Sequence, residues 1–232
     1  MPRFITAQEA IQLLDDANIR NAVGKIEISF DNFSVQLKQR DTVGNALQEW
    51  FSAFLTSKDI YYRPNIGQTF PDFYFSEEDT VSLCEMKSFY GSANFDVANY
   101  RSYISSIAEK PYRLNSDYII FKYNMDKESG EIRIEDYWCK KVWEITGSAT
   151  DYILKCQRKK GQIYNIRPVQ WFSNNTAFPA FGSLERMLNA LYKTELSESN
   201  NARETNAWLS KVVEGYNEFF GTDISVAQIK SL

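Results

Sequence analysis

The chain of 232 residues contains no histidine. That absence removes Ser-His-Asp and Cys-His nucleophilic catalysis, zinc hydrolysis built on histidine ligands, and the histidine-dependent nuclease motifs. Only carboxylates, Lys, Arg, Tyr and hydroxyl groups are left to carry chemistry. Cysteine is scarce: Cys84, Cys139 and Cys156 lie far apart, cannot complete a four-ligand Cys/His zinc site, and fit a reducing compartment better than a disulfide framework. None of the ten glycines falls into G-x-G-x-x-G or G-x-x-x-x-G-K-[ST], so Rossmann and P-loop nucleotide sites have no basis here. No apolar run approaches the roughly 20 residues that span a bilayer, and the opening residues carry no signal-peptide core. A cytoplasmic protein with no membrane partner is expected. Positive charge is not in excess either. The 26 Lys+Arg face 30 Asp+Glu, a net charge of -4, so a nucleic-acid partner has to meet a local basic patch.

What is present is ordinary for a globular protein: 44% hydrophobic and 24% charged residues, in a chain long enough to bury a proper core. No repeat or linker stands out, so residues 1–232 read as one domain. Its core spans about 40–145, followed by a basic segment at about 150–172 and C-terminal helices at about 183–221. Thr6 and Glu9 form a capping box that opens a short helix to about Asp16. Ile26, Ile28 and Phe30 alternate, as do Phe33, Val35 and Leu37, which predicts a β-hairpin turning at Asp31-Asn32. Val43, Leu47, Trp50, Phe51 and Phe54 recur at helical spacing over 43–57. Short strands are expected at 72–75 and 81–87, a helix at 96–109, an apolar central strand at 117–123 and another strand at 131–135. Two helices, 183–196 and 201–220, close the chain, with Ser183 as cap and Gly221 as stop. The order predicts a mixed α/β (α+β) protein with a central mixed β-sheet flanked by helices.

The chemistry concentrates at Pro71-Asp72 and at Glu85-Met86-Lys87. Residues two apart in a strand share a face, so Val81, Leu83, Glu85 and Lys87 lie on one side and Ser82, Cys84 and Met86 on the other. A side that begins with Val and Leu and ends with a carboxylate and an ammonium needs a reason, because charges are seldom buried beside aliphatic groups. If the two short strands pair, Asp72 comes near Glu85. Two carboxylates meeting there repel, and a hard divalent cation such as Mg2+ (with Mn2+ as a substitute) resolves the conflict. Asp72, Glu85 and the Met86 main-chain carbonyl are the expected metal ligands. Lys87 is placed to orient the attacking water and to offset phosphate charge.

This P-D-x(12)-E-x-K pattern resembles the PD-(D/E)xK nuclease superfamily, and Glu85-Met86-Lys87 is the single D/E-x-K in the sequence. The stretches 44–50, 95–100 and 164–168 further resemble small type II restriction endonucleases of the NgoBV/NlaIV kind. The resemblance implies site-specific, Mg2+-dependent cleavage of double-stranded DNA, at a site such as GGNNCC. It also implies a cognate DNA methyltransferase within a restriction–modification system. A homodimer would match the symmetry of a palindromic site. In many members of the superfamily a glutamate from the preceding helix joins the metal site, which makes Glu49 a candidate, with Gln48 as the alternative. The basic stretch offers Arg158, Lys159, Lys160 and Arg167 as DNA-contacting residues. Tyr90, Tyr100 and Tyr164 can serve either DNA or the core. The competing readings are a repair or structure-specific PD-(D/E)xK nuclease, a non-catalytic DNA-binding module on a nuclease-like fold, and a protein–protein interaction domain. The intact Asp, Glu and Lys triplet favours the catalytic ones.

Overall fold

The computed structural model describes residues 2–65, 67 and 69–232. In chain order the elements begin with α1 (Ala7–Asp16), β1 (Val23–Gly24), β2 (Ile26–Phe30), β3 (Phe33–Leu37) and α2 (Val43–Ser57). Then come β4 (Arg63–Pro64), β5 (Phe73–Tyr74), β6 (Leu83–Tyr90), β7 (Ala98–Asn99), α3 (Tyr100–Glu109), β8 (Asp117–Met125) and β9 (Ile132–Lys141). The chain ends with β10 (Cys156–Lys159), β11 (Gln162–Ile166), α4 (Leu184–Ser199), α5 (Ala202–Phe220) and α6 (Val226–Ser231). They fall into two compact units, one of residues 1–92 and 117–140, the other of residues 93–116 and 141–232.

The first unit is built on a six-stranded sheet in the order β1-β9-β8-β6-β5-β4. It is mixed, as expected: β6 and β8 run parallel, with Glu85 opposite Tyr118 and Lys87 opposite Ile120, whereas β5 meets β6 antiparallel. The apolar run of β8 places it inside the sheet, where both faces are covered. Helix α1 starts at the capping box read from Thr6 and Glu9, whose side chain and backbone bonds are both made. Helix α2 has the predicted limits, 43–57. Its Val43, Leu47, Phe51 and Leu55 join Cys84 and Met86 of β6 and Ile119, Phe121 and Tyr123 of β8 in one buried cluster. The first turn of α2 lies close over β6, since a Cβ on Gly44 would stand 3.4 Å from Ser88 Oγ. The hairpin β2–β3 forms a separate two-stranded sheet in the predicted register, Ile26 opposite Leu37 and Phe30 opposite Phe33.

In the second unit β7, β11 and β10 form a three-stranded antiparallel sheet. The basic stretch, whose conformation the sequence left open, is the β10–β11 hairpin. It turns at Lys160 and Gly161, both at positive φ (51° and 81°), the backbone of a tight two-residue hairpin turn. Helix α3 begins at Tyr100 rather than 96: Ala98 and Asn99 pair with β11, and the Asn99 side chain caps the helix by accepting from Ser102 N–H. Ser183 caps α4 and Gly221 ends α5 in the left-handed conformation, both as predicted. No helix of the described residues is long and apolar enough to cross a membrane.

Candidate active site

The site is assembled by one strand pairing. Phe73 lies opposite Cys84 and Tyr74 opposite Leu83, so Asp72, the residue before β5, comes level with Glu85. Asp72 Oδ2 accepts the Met86 N–H at 2.7 Å, which pins the carboxylate to the strand that carries Glu85. Because β6 alternates, Cys84 and Met86 face the α2 cluster, while Glu85 and Lys87 project from the opposite face. The sequence-predicted trio Asp72, Glu85 and Lys87 is thus brought together.

Glu85 is buried, unusual for a carboxylate. Its Oε1 takes the Lys87 ammonium at 2.7 Å. Its Oε2 is buried with no hydrogen-bond partner. Burial raises its carboxyl above the usual range. The Lys87 ammonium opposes that shift, and the neighbouring Asp72 carboxylate adds to it. The Asp72 main-chain N–H faces the same carboxylate and partly offsets the burial, but Oε2 makes no hydrogen bond of good geometry, and two carboxylates sharing one ammonium are a donor set that fits a hard divalent cation. Among the described residues no group of three or more His, Cys, Asp or Glu side chains comes together. Further oxygen ligands must therefore come from the main chain, water or substrate. A residue in a strand directs its N–H and C=O to the same neighbour. The Met86 carbonyl accordingly points to the Asp72 side, beyond the end of β5.

Glu49 does not join this group. It is exposed on α2, away from the apolar stripe, and α2 packs on the face of β6 opposite Glu85. Gln48 is half-buried on the same helix.

The four basic residues separate into two kinds. Arg158 donates to Glu198 at 2.6 Å and to the Gly161 carbonyl, and Arg167 pairs with Asp96 at 3.0 Å and with Gln157. Both guanidinium groups are ion-paired within the second unit. Lys159 and Lys160 are exposed at the β10–β11 turn, the Lys159 ammonium 3.6 Å above the Tyr164 ring. Of the three tyrosines, Tyr100 is fully buried core, whereas Tyr90 and Tyr164 are exposed.

Sequence reasoning missed Arg40. It lies in the 3-10 turn before α2, and its guanidinium stacks 3.6 Å from the Tyr90 ring centre. Arg40, Tyr90, Asn124 and Arg133 line a polar cleft of about 790 Å³ where β6 and β8 end. No periodic signal marks a lone Arg in a turn.

The buried Glu85 carries a stability prediction. A carboxyl whose pKa is raised on folding contributes stability that is fully present below the unfolded pKa and lost as pH rises through the folded pKa. In EDTA at pH 7–8, Glu85→Gln is therefore expected to melt a few degrees above wild type. The gain should vanish as pH falls below about 4, under the ordinary carboxylate range. Thermal melts across that interval check it, and a variant that melts lower at pH 8 contradicts it.

The NgoBV restriction endonuclease family profile matches residues 4–232. The type II restriction enzyme NlaIV of Neisseria lactamica is 35% identical over 228 residues, covering 96% of this chain and 93% of that protein. The type II restriction enzyme NgoBV of Neisseria gonorrhoeae is 33% identical over 163 residues, covering 67% of this chain and 91% of that protein. The solved structure of the NlaIV restriction endonuclease superposes with a TM-score of 0.89 at 34% identity, over 97% of this chain and 94% of that one. With its two carboxylates and lysine on a mixed sheet, this chain belongs to the NgoBV restriction endonuclease family, a membership that implies action on double-stranded DNA with a divalent metal ion.

Proposed function

We propose that the protein is a type II restriction endonuclease that hydrolyses phosphodiesters of double-stranded DNA at specific sites with Mg2+. It acts as a cytoplasmic homodimer, alongside a cognate DNA methyltransferase. The observation that carries this reading is the Asp72–Glu85 pair, with a buried carboxylate oxygen left unpartnered and Lys87 beside it.

Asp72, Glu85 and the Met86 carbonyl would hold the metal. When bound, a divalent ion supplies Lewis-acid polarisation of the phosphate and neutralises its charge. Asp72 is oriented by the Met86 N–H, so it needs no rearrangement to present an oxygen. Lys87 is anchored through Glu85 on the open side of the strand. From there it orients the attacking water and stabilises the negative charge that grows on the phosphate. Incubation with unmodified phage DNA and Mg2+ tests the reading. Discrete fragments support it, and sequenced ends identify the site, GGNNCC or another. A smear indicates non-specific cleavage, and intact DNA overturns the reading.

Lys159 and Lys160 are proposed to contact phosphates. Lys159→Ala/Lys160→Ala is expected to lower the log–log salt slope of DNA binding by about two, at an unchanged melting temperature. Arg158→Ala should instead lower the melting temperature, because it leaves the largely buried Glu198 carboxylate unpaired, and Arg167→Ala should lower it less, because water already reaches the half-exposed Asp96. Salt titrations and melts of the three proteins separate these roles. An unchanged slope in the double variant removes the hairpin from the DNA-contacting surface.

A further inference from the structure

The hairpin β2–β3 carries every apolar side chain on one face. Its cross-strand pairs Ile26–Leu37, Ile28–Val35 and Phe30–Phe33 alternate with the polar pairs Glu27–Gln36 and Ser29–Ser34 on the other. The inner pair is half-buried, and Ile26 packs against the core of the first unit. The outer pairs run beyond that core: Phe30 is 77% exposed and Phe33 73% exposed, with Ile28 and Val35 exposed behind them. The face continues into an apolar groove of about 160 Å³ lined by Val23, Ile26, Trp50 and Ile132, of which Val23 and Trp50 are themselves exposed. A two-stranded hairpin is marginal on its own in water, and one with an all-apolar open face gains stability only when that face is covered.

We infer that this face is the surface on which two copies of the chain pair. The charges around it decide between occupants. Residues 25–38 hold Lys25 and Lys38 against Glu27 and Asp31, a neutral set. Lys25 is tied to Glu27 at 2.7 Å, and Lys38 donates to the Glu128 carbonyl. The segment thus carries no net positive charge to attract a DNA backbone. A two-fold contact sets the patch against itself, so a neutral, uncharged face suits it and a face of one sign would repel. The exposed parts of Ile28, Phe30, Phe33, Val35, Val23 and Trp50 amount to roughly 600 Å² per copy, or about 1,200 Å² for two, where specific interfaces begin. The proposal deepens the homodimer of the proposed function by naming its contact surface.

Sedimentation velocity tests it. At micromolar concentration the wild type is expected at twice 26.9 kDa, and Phe30→Ser/Phe33→Ser at 26.9 kDa with an unchanged far-UV circular dichroism spectrum. The dimer constant should weaken at least a hundredfold, since each aromatic anchor is present twice in a two-fold interface. Should the double variant not fold, hydrogen exchange on the wild type decides: amides of 26–37 are expected to gain protection as concentration rises. A wild type that is monomeric throughout, a folded double variant that stays dimeric, or exchange in 26–37 that ignores concentration overturns the proposal. So does a double variant that keeps its assembly and loses only DNA binding. Sedimentation reads assembly alone, so its outcome is independent of whether the protein cuts DNA.

Discussion

Lys87→Ala is expected to slow single-turnover cleavage of duplex DNA by about a thousandfold, while DNA affinity measured in Ca2+ changes less than about fivefold. Removing the ammonium leaves the buried Glu85 carboxylate without its counterion, so Lys87→Ala is expected to melt lower than wild type, and rates and affinities are compared at a temperature where both proteins are folded. The contribution of Lys87 to cleavage lies in the transition state, where charge collects on the phosphate, and an interaction made only there is read in the rate rather than in binding. Cleavage within tenfold of wild type would remove Lys87 from the chemistry. A parallel fall in affinity and rate would make it a binding residue instead.

The second large effect is metal dependence. Excess EDTA should abolish cleavage, and Mg2+ or Mn2+ should restore it. Ca2+ is expected to support binding with little cleavage, because it accepts a looser and larger ligand shell. Asp72→Ala and Glu85→Ala should each weaken metal binding, since together they are the carboxylates of the site, and the Met86 carbonyl alone cannot replace them. The pH profile follows from composition. With no histidine, the chain has no side chain whose ordinary pKa falls between about 5 and 8. The proton lost by the attacking water and the coupled Asp72/Glu85 pair then govern the rate, which should rise from pH 6 towards 9 when chemistry is limiting. Full activity in EDTA would contradict the metal reading, whereas a flat single-turnover profile would contradict only the role assigned to that proton.

The parts of the fold that were legible in sequence are those with a period to read. Thr6 with Glu9, the paired alternation of 26–30 and 33–37, and the 43–57 stripe each correspond to an element in the predicted place. The elements that escaped are too short to carry a period: β1, β4 and β7 have two residues each and α6 has six. Strand β6 runs to Tyr90, past the predicted end at Lys87, because its parallel partner β8 extends to Tyr123 opposite it, a pairing set by the sheet and not by local alternation. That Asp72, Glu85 and Lys87 come together was readable because the signal is local: Pro-Asp, then Glu-x-Lys within an apolar strand. The basic stretch was readable only as charge. Arg158 and Arg167 were indistinguishable from Lys159 and Lys160 until Glu198 and Asp96 were placed beside them, 40 and 71 positions away in sequence. Glu49 failed for the opposite reason. Its place on the helical wheel already pointed to solvent, and α2 packs on the face of β6 away from Glu85.

Affinity cleavage of the chain measures directly whether Asp72 and Glu85 hold the catalytic ion. With Fe2+ and ascorbate in place of Mg2+, hydroxyl radicals cut the backbone within a few ångströms of the bound ion. Cuts are predicted next to Asp72 and at 85–87, suppressed by excess Mg2+ and absent from Asp72→Ala/Glu85→Ala. Cuts confined to other segments, or persisting in the double variant, would place the metal elsewhere and remove Asp72 and Glu85 as its ligands.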